Sequence, residues 1–389
     1  MNIPGNVQKI IEILHNNSHD AYIVGGCVRD TLLGRIPGDW DITTSAHPEE
    51  IKQLFRRTID TGIEHGTVTV RMHGESYEVT TYRVDGEYSD HRRPDSVVFT
   101  DNLVEDLKRR DFTINAMAYN DVRGLVDEFD GKQDLENGII RCVGNPDERF
   151  EEDALRMLRA IRFSAQLGFS IEENTLDAIK KHAPELVNVS AERILVELNK
   201  TLASQHPENM QLLWDLGLTD YISASFKEIR DAGGIVPGTP GSWAALMRDL
   251  TGVQAKTILK ELKSDNDTIR NTVALVEEYK LPFPEDEIAI RHTLNHIGPE
   301  LFEHLMDLFD SAPERADAGR AAMAREQKKK ILARNDAYTI GMLAVTGNDV
   351  RPYARTGPDI GRILNELLEK VMQRPELNEK EILLGMLNN

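Results

Sequence analysis

The feature that most constrains the fold is a change of texture near residue 140. Before it, short β-type runs alternate with turn residues: AYIVG, DWDITT, GTVTVRM, SYEVTTYRV and GLVDEFD, each bounded by Gly, Asp or Asn. Branched and aromatic residues in such runs predict strands. From about Asn145 onward apolar residues recur every three or four positions, as in RFEEDALRMLRAIRFSAQLGF, SAERILVELNKTLA and ENMQLLWDLGL, which predicts amphipathic helices. Turn clusters at 236–242 and 281–287 punctuate this half, and two further helices flank Arg374–Pro375. The expectation is an α+β protein with an α/β head over residues 1–140 and a long helical remainder.

A chain of 389 residues that is 40% hydrophobic can bury several cores, so two to four units are expected. Nothing approaches the roughly 20 apolar residues of a membrane span. The start, MNIPGNVQKIIEILHNN, lacks the basic and apolar regions of a signal peptide. Cys27 and Cys142 stand alone without CxxC spacing, which argues against a disulfide framework or a thiolate zinc site. A reducing cytoplasm is the expected, cytoplasmic, setting. The net charge of −19 repels phosphate, so a nucleic-acid partner would need basic residues gathered locally. The run from Arg320 to Arg334 holds six basic residues and one acidic one; it reads equally well as a solvated helix face or as an RNA contact.

Three constellations carry chemistry. In YIVGGCVRDTLLGRIPGDWDITTS, a β-run ends at Gly25–Gly26, and a helical segment with Arg29 and Asp30 follows. Paired glycines let backbone approach an oxygen-rich ligand. Asp39 and Asp41 follow, leading into a strand on which residues i and i+2 share a face. Two carboxylates side by side are costly unless a cation lies between them, and Mg²⁺ favours one or two carboxylates plus substrate phosphates. In EDLKRRDFTINAMAYN, Arg109 and Arg110 precede a half-apolar segment interrupted by Asn115. Their guanidinium forks suit phosphate or ribose oxygens, with ion pairs to Asp106 or Asp111 as the alternative.

The third is RFEEDALRMLRAIRF, expected as one helix. Leu155, Leu158, Ile161 and Ala165 form its buried stripe, and Asp153, Arg156, Arg159 and Arg162 recur every three residues. Asp153 and Arg156 can be an ordinary ion pair or can face an incoming base. A carboxylate accepts and a guanidinium donates. Together they satisfy the amine and ring nitrogen of cytosine or adenine. Uracil and guanine put a carbonyl against the carboxylate and an N–H against the arginine, and unpaired buried polar groups reject them.

GGCVRDTLLG, DWD, RRDFTINAMAYN, EDALRMLRAIRF and SAERILVEL, in this order, resemble the class II tRNA nucleotidyltransferases of bacteria. That family includes CCA-adding, A-adding and CC-adding enzymes and bacterial poly(A) polymerases. The resemblance covers roughly residues 20–200. It implies a head with the DNA polymerase beta type of nucleotidyltransferase sheet at 1–140, a helical neck at 141–200, a body at 201–305 and a tail at 306–389. It implies Asp39 and Asp41 as catalytic, metal-binding carboxylates for Mg²⁺, with Glu78 on SYEVTT as a third acid. Gly26, Arg29 and Arg110 fall on nucleotide-binding positions, Asp153 and Arg156 on the base-reading pair, and Arg159 and Arg162 on further nucleotide contacts. CTP and ATP are the implied substrates. The implied partner is the 3′ end of tRNA, its acceptor arm and elbow held by the helical regions.

The stretch RVDGEYSDHRRPDSVVF at 83–99 is polar and rich in opposite charges, which predicts a mobile loop. It resembles the loop that CCA-adding and A-adding enzymes carry and CC-adding enzymes lack. No HxxxH or HD-type histidine cluster appears in the C-terminal half, and the chain ends MLNN without a strongly basic segment. Addition of C, C and A is therefore the expected activity, then A-only addition, then poly(A) synthesis. A non-catalytic tRNA binder is disfavoured by the intact acidic pair.

Overall fold

The computed structural model describes residues 1–86, 97–235, 240–312 and 319–388. It divides into two compact units, Met1–Ala224 and Ser225–Asn389.

The N-terminal unit opens with helix α1 (Gly5–Asn16), whose Val7, Ile10, Ile11 and Leu14 form one buried face. A mixed sheet follows, built from β1 (Ala21–Val24), β2 (Ile42–Thr44), β3 (Thr58–Gly62), β4 (Thr67–Met72) and β5 (Glu75–Thr81). Strands β8 (Ala118–Asn120) and β9 (Gly124–Val126) complete it in the order β3-β4-β5-β2-β1-β8-β9. All four residues of β1 are buried, as expected of a central strand covered on both faces. The β2–β5 pair is parallel, with Ile42 opposite Val79, and its other neighbours are antiparallel. Strands β6 (Arg83–Asp85) and β7 (Val97–Phe99) form a separate antiparallel pair. The middle of the expected loop at 83–99 lies outside the described residues; its two flanks are these strands.

Helices α2 (Gly26–Leu32), α3 (Pro48–Leu54), α4 (Leu103–Lys108) and α5 (Gly131–Asn137) accompany the sheet. Beyond the short β10–β11 pair (Ile139–Ile140 with Ser170–Ile171) the unit is helical. It contains α6 (Pro146–Glu152), α7 (Leu155–Leu167), α8 (Glu173–His182), α9 (Ala191–Leu202), α10 (Leu212–Asp215) and α11 (Thr219–Ile222).

One expectation is corrected here. RFEEDALRMLRAIRF is two helices, broken at Asp153, whose backbone is extended at φ −150° and ψ 101°. The Asp153 carboxylate accepts the backbone N–H of Leu155 at 3.1 Å, so the side chain competes with the helical ladder and caps the next helix instead. The expected stripe of Leu155, Leu158, Ile161 and Ala165 is buried in α7.

The C-terminal unit is helical among its described residues: α12 (Gly241–Leu246), α13 (Gly252–Glu261), α14 (Asn266–Lys280), α15 (Glu287–Asp310, broken by a kink at Gly298), α16 (Arg320–Ala333), α17 (Gly347–Val350), α18 (Gly357–Gln373) and α19 (Lys380–Gly385). Ile363, Leu364, Leu367, Leu368, Val371 and Met372 of α18 fill its distal core. Residues 281–286 join α14 to α15, as the Pro-rich turn signals predict. The basic run on α16 is not a free face. Arg320 pairs with Glu285, Arg325 with Glu303, Asp307 and Asp310, Lys328 with Glu303, Lys329 with Glu326, and Arg334 with Glu287 and Asp336. No helix among the described residues is long and apolar enough to cross a membrane.

Candidate active site

Asp39, Trp40 and Asp41 lie in the extended lead-in to β2 rather than in the strand itself. The carbonyl of Asp41 still accepts the N–H of Val24 at 3.0 Å, so pairing with β1 begins at this residue. Both acids are exposed at the mouth of a cleft of about 750 Å³, which Thr69, Glu75 and Glu78 also line. Glu78 is placed there by the parallel register: Ile42 faces Val79, so the residue before each, Asp41 and Glu78, are neighbours at the same edge. The Asp41 carboxyl is held above the ordinary range. Partial removal from water raises it most, Glu78 adds repulsion, Arg110 pulls the other way, and Asp39 contributes a smaller rise. Among the described residues no group of three or more His, Cys, Asp or Glu is gathered tightly enough to hold a metal unaided.

The cation that acts on Asp41, Arg110, lies against the turn that opens α2. Gly25, at φ 77°, turns the chain from β1 into α2, and a Cβ there would lie 3.0 Å from Arg110 Nη1. A side chain would both strain the backbone and displace Arg110. The conformational demand falls on Gly25 and not on Gly26, which begins α2, with Arg29 Nη2 3.7 Å from where its Cβ would be. Arg109 and Arg110 both pair with Asp106, which is fully buried. Of the two sequence alternatives Arg110 makes the ion pair, and its charge also acts on Asp41. Arg29 pairs with Asp30 at 2.8 Å and donates to Asn115 Oδ1 at 2.7 Å, which explains the polar intrusion in the second segment.

Asn115 passes the connection inward. Its amide donates to Asp111 at 3.2 Å, and Asp111 accepts two hydrogen bonds from Arg159 of α7, at 2.8 and 2.5 Å. Burial alone would raise the Asp111 pKa, but the Arg159 guanidinium outweighs it and brings the value down to about 2. Arg162 is buried against Glu197 of α9 and donates to Gln166 at 2.8 Å. Arg29, Arg159 and Arg162 all stand over the Phe163 ring, at 5.2, 5.5 and 3.9 Å from its centroid.

Asp153 and Arg156 share the turn between α6 and α7 but do not pair with each other. The Asp153 carboxylate receives Arg193 of α9 at 2.7 and 3.2 Å. Arg156 pairs with Glu152 and donates to the carbonyls of Arg149 at 3.0 Å and Arg109 at 3.1 Å. The ordinary i,i+3 ion pair is thus absent, and each side chain is steadied by its own partner. Arg193 sits inside SAERILVEL, yet nothing local in the sequence joins it to Asp153.

The buried Asp111–Arg159 pair yields two expectations. Arg159→Met leaves the Asp111 charge without its ion-pair partner, with only the Asn115 amide and the Phe112 N–H still donating to it. It should cost about 3 kcal/mol, near the lower end for breaking a buried pair because a third of the Arg159 side chain reaches solvent. A thermal melt reads this, and an unchanged midpoint rejects it. Because folding lowers the Asp111 pKa, the pair's contribution is present above about pH 4 and is lost as pH falls toward 2. Asp111→Asn should flatten the acid limb of the stability curve in that window.

Comparison with known proteins decides the family. Family models match residues 21–141 as the poly A polymerase head domain, 168–229 as the RNA- and SrmB-binding site of polymerase A, and 240–387 as tRNA nucleotidyltransferase domain 2. The chain is 39% identical to the CCA-adding enzyme of Ligilactobacillus salivarius over 405 aligned positions, covering 98% of this chain and 96% of that one. The chain belongs to the CCA-adding enzyme family. It is likewise 39% identical to the family member of Geobacillus kaustophilus, covering 96% and 93% of the two chains. A crystal structure of the CCA-adding enzyme of Bacillus stearothermophilus in complex with CTP superposes with a TM-score of 0.86 at 34% identity, over 100% of this chain and 98% of that one. The Thermotoga maritima CCA-adding enzyme complexed with tRNA shares the fold, with a TM-score of 0.65 at 20% identity, over 99% and 96% of the two chains. The α+β architecture expected from the sequence, a nucleotidyltransferase head followed by helices, is the family's.

Proposed function

We propose that this chain adds C, C and A, without a nucleic-acid template, to the 3′ end of tRNA, taking the nucleotides from CTP and ATP and releasing pyrophosphate. The observation that carries the reading is the acidic lip of Asp39, Asp41 and Glu78 with Arg110 acting on Asp41, and with Arg29 joined through Asn115, Asp111 and Arg159 to the helix that follows the Asp153–Arg156 turn.

Asp39 and Asp41 would hold Mg²⁺, with Glu78 as their neighbour. The ion, when bound, lowers the pKa of the attacking 3′-hydroxyl and offsets charge on the triphosphate. The residues themselves do the positioning. Arg29 and Arg110 meet triphosphate or ribose oxygens, beside a backbone at Gly25–Gly26 that has no side chain to obstruct the approach. Asp153 accepts the exocyclic amine of cytosine or adenine, and Arg156 donates to the adjacent ring nitrogen. Arg159 and Arg162 stabilise this face from behind, and their direct nucleotide contacts are part of the same proposal. The division into head (1–140), neck (141–200), body (201–305) and tail (306–389) belongs with this reading, as does a cytoplasmic setting.

The test uses tRNA transcripts ending before the first C, after one C and after both, each with CTP, ATP or the two together. The first transcript should grow by three nucleotides. Activity confined to the last transcript would mean A-only addition. Unlimited growth in ATP would mean poly(A) synthesis.

A further inference from the structure

In a chain carrying 46 basic and 65 acidic residues, a cleft lined by several cations without partners is a local excess of positive charge. The α16 run is spent on ion pairs, but one cleft of the N-terminal unit breaks that pattern. It has a volume of about 550 Å³, and its lining includes Lys9 of α1, Arg56 and Arg57 between α3 and β3, Arg71 of β4 and His73 at the β4–β5 turn. All five are exposed. Among the described residues, Lys9, Arg56, Arg57 and Arg71 make no ion pair and no side-chain hydrogen bond, although ion pairs occupy most of the basic residues on α7 and α16. Four unneutralised cations in one cleft repel one another, an arrangement that favours a polyanion.

The cleft also adjoins the acidic one. Thr69 of β4 lines the acidic cleft, and Arg71 lies two residues further along the same strand, about 7 Å away. Asn6 bridges the two, donating to Glu75 at 2.8 Å and standing 2.8 Å from His73 Nδ1. A strand lying in the basic cleft therefore runs beside Asp39 and Asp41. The cations come from three separate elements on long side chains, and no exposed aromatic is among them. That pattern matches spaced backbone phosphates rather than one compact anion or a stacked base.

We propose that Lys9, Arg56, Arg57 and Arg71 form a binding site for the phosphodiester backbone of the RNA substrate close to its reacting end, an inference that rests on the nucleotidyltransferase reading above. The site offsets the repulsion that the acidic lip and the overall negative charge impose on RNA.

The experiment measures binding of a tRNA transcript lacking CCA across a salt series, without nucleotides, for wild type and for R56Q/R57Q/R71Q. Each lost phosphate contact should reduce the slope of log affinity against log salt by about one. The triple variant should also bind at least roughly tenfold more weakly at low salt. In steady state its KM for tRNA should rise while KM for CTP and ATP stays at the wild-type value. K9Q alone should lower the slope by about one, which keeps the proposal testable should the triple variant fold poorly. Unchanged affinity and slope in folded variants overturn it. So does a rise in KM for CTP or ATP with tRNA binding intact, which would give the cleft to the nucleotide's own phosphates. Wild type that binds tRNA but adds nothing would sink the nucleotidyltransferase reading and not this binding site.

Discussion

Asp41→Ala and Asp39→Ala are each expected to abolish addition of every nucleotide, lowering the rate at least about 10³-fold, because a bound cation supplies several kcal/mol of transition-state stabilisation. The loss should be the same for CTP and ATP, since these acids are proposed to hold the cation and not to read the base. The charge on Asp41 also costs stability. Its pKa is raised in the folded protein, so the folded state holds its proton to higher pH than the unfolded chain does. Stability therefore falls as pH rises through the window above the ordinary Asp value, and the penalty persists at neutral pH. Asp41→Asn removes that penalty while keeping the shape. It should be inactive yet melt at or above the wild-type temperature in chelator, and divalent ions should stabilise wild type more than the variant. Pyrophosphate release and primer extension read the first effect, and thermal melts with and without magnesium read the second. An Asp41→Ala enzyme within tenfold of wild type would remove the acidic lip from the mechanism.

Much of this site was legible because its signals are local. The Asp39–Asp41 spacing, the glycines ending a β-run and the RRD segment each place charge beside a turn within one short stretch. The strands read from branched residues are largely present. The two strands of the main sheet that escaped, β3 and β8, lack the pattern: β3 is half to fully exposed along its length, and β8 lies within the apolar run NAMAYN. Outside that sheet β7 falls inside the expected loop at 83–99, and β10 and β11 have only two residues each. The break at Asp153 was hidden because EEDALR keeps helical periodicity and has neither Pro nor Gly. Only the side chain's capture of the Leu155 N–H reveals it. The partners of charged residues were the least legible. Arg193 reaches Asp153 across 40 positions and Arg159 reaches Asp111 across 48, so no window of sequence contains either pair. The α16 run looked free for the same reason. Glu303, Asp307 and Asp310, which neutralise it, line the preceding helix beyond the span of the run.

Asp153→Ala should leave nucleotide transfer running but degrade the choice of base. Ionised, the carboxylate offers about four acceptor positions. One takes the Leu155 N–H and two are directed at Arg193, which leaves one for the amine of cytosine or adenine. Those same contacts fix its direction, so a carbonyl from uracil or guanine meets an oxygen that cannot turn away. Sites that discriminate by leaving a buried polar group unpaired reach roughly 10⁴-fold. Removing the acceptor removes the penalty, and misincorporation of UMP and GMP should rise by roughly 10²-fold or more relative to CMP and AMP. Arg156 keeps its own supports from Glu152 and the Arg149 and Arg109 carbonyls, so the donor half of the pair survives and binding is blurred rather than lost. Arg193→Ala separates orientation from acceptance: it leaves the carboxylate in place but frees it to rotate, and it should relax selectivity less than Asp153→Ala while sparing magnesium dependence. Single-nucleotide extension with each of the four triphosphates measures both. If Asp153→Ala still rejects UTP and GTP as sharply as wild type, base choice resides elsewhere, and the Asp153–Arg193 pair is only the brace that holds α9 against the α6–α7 turn.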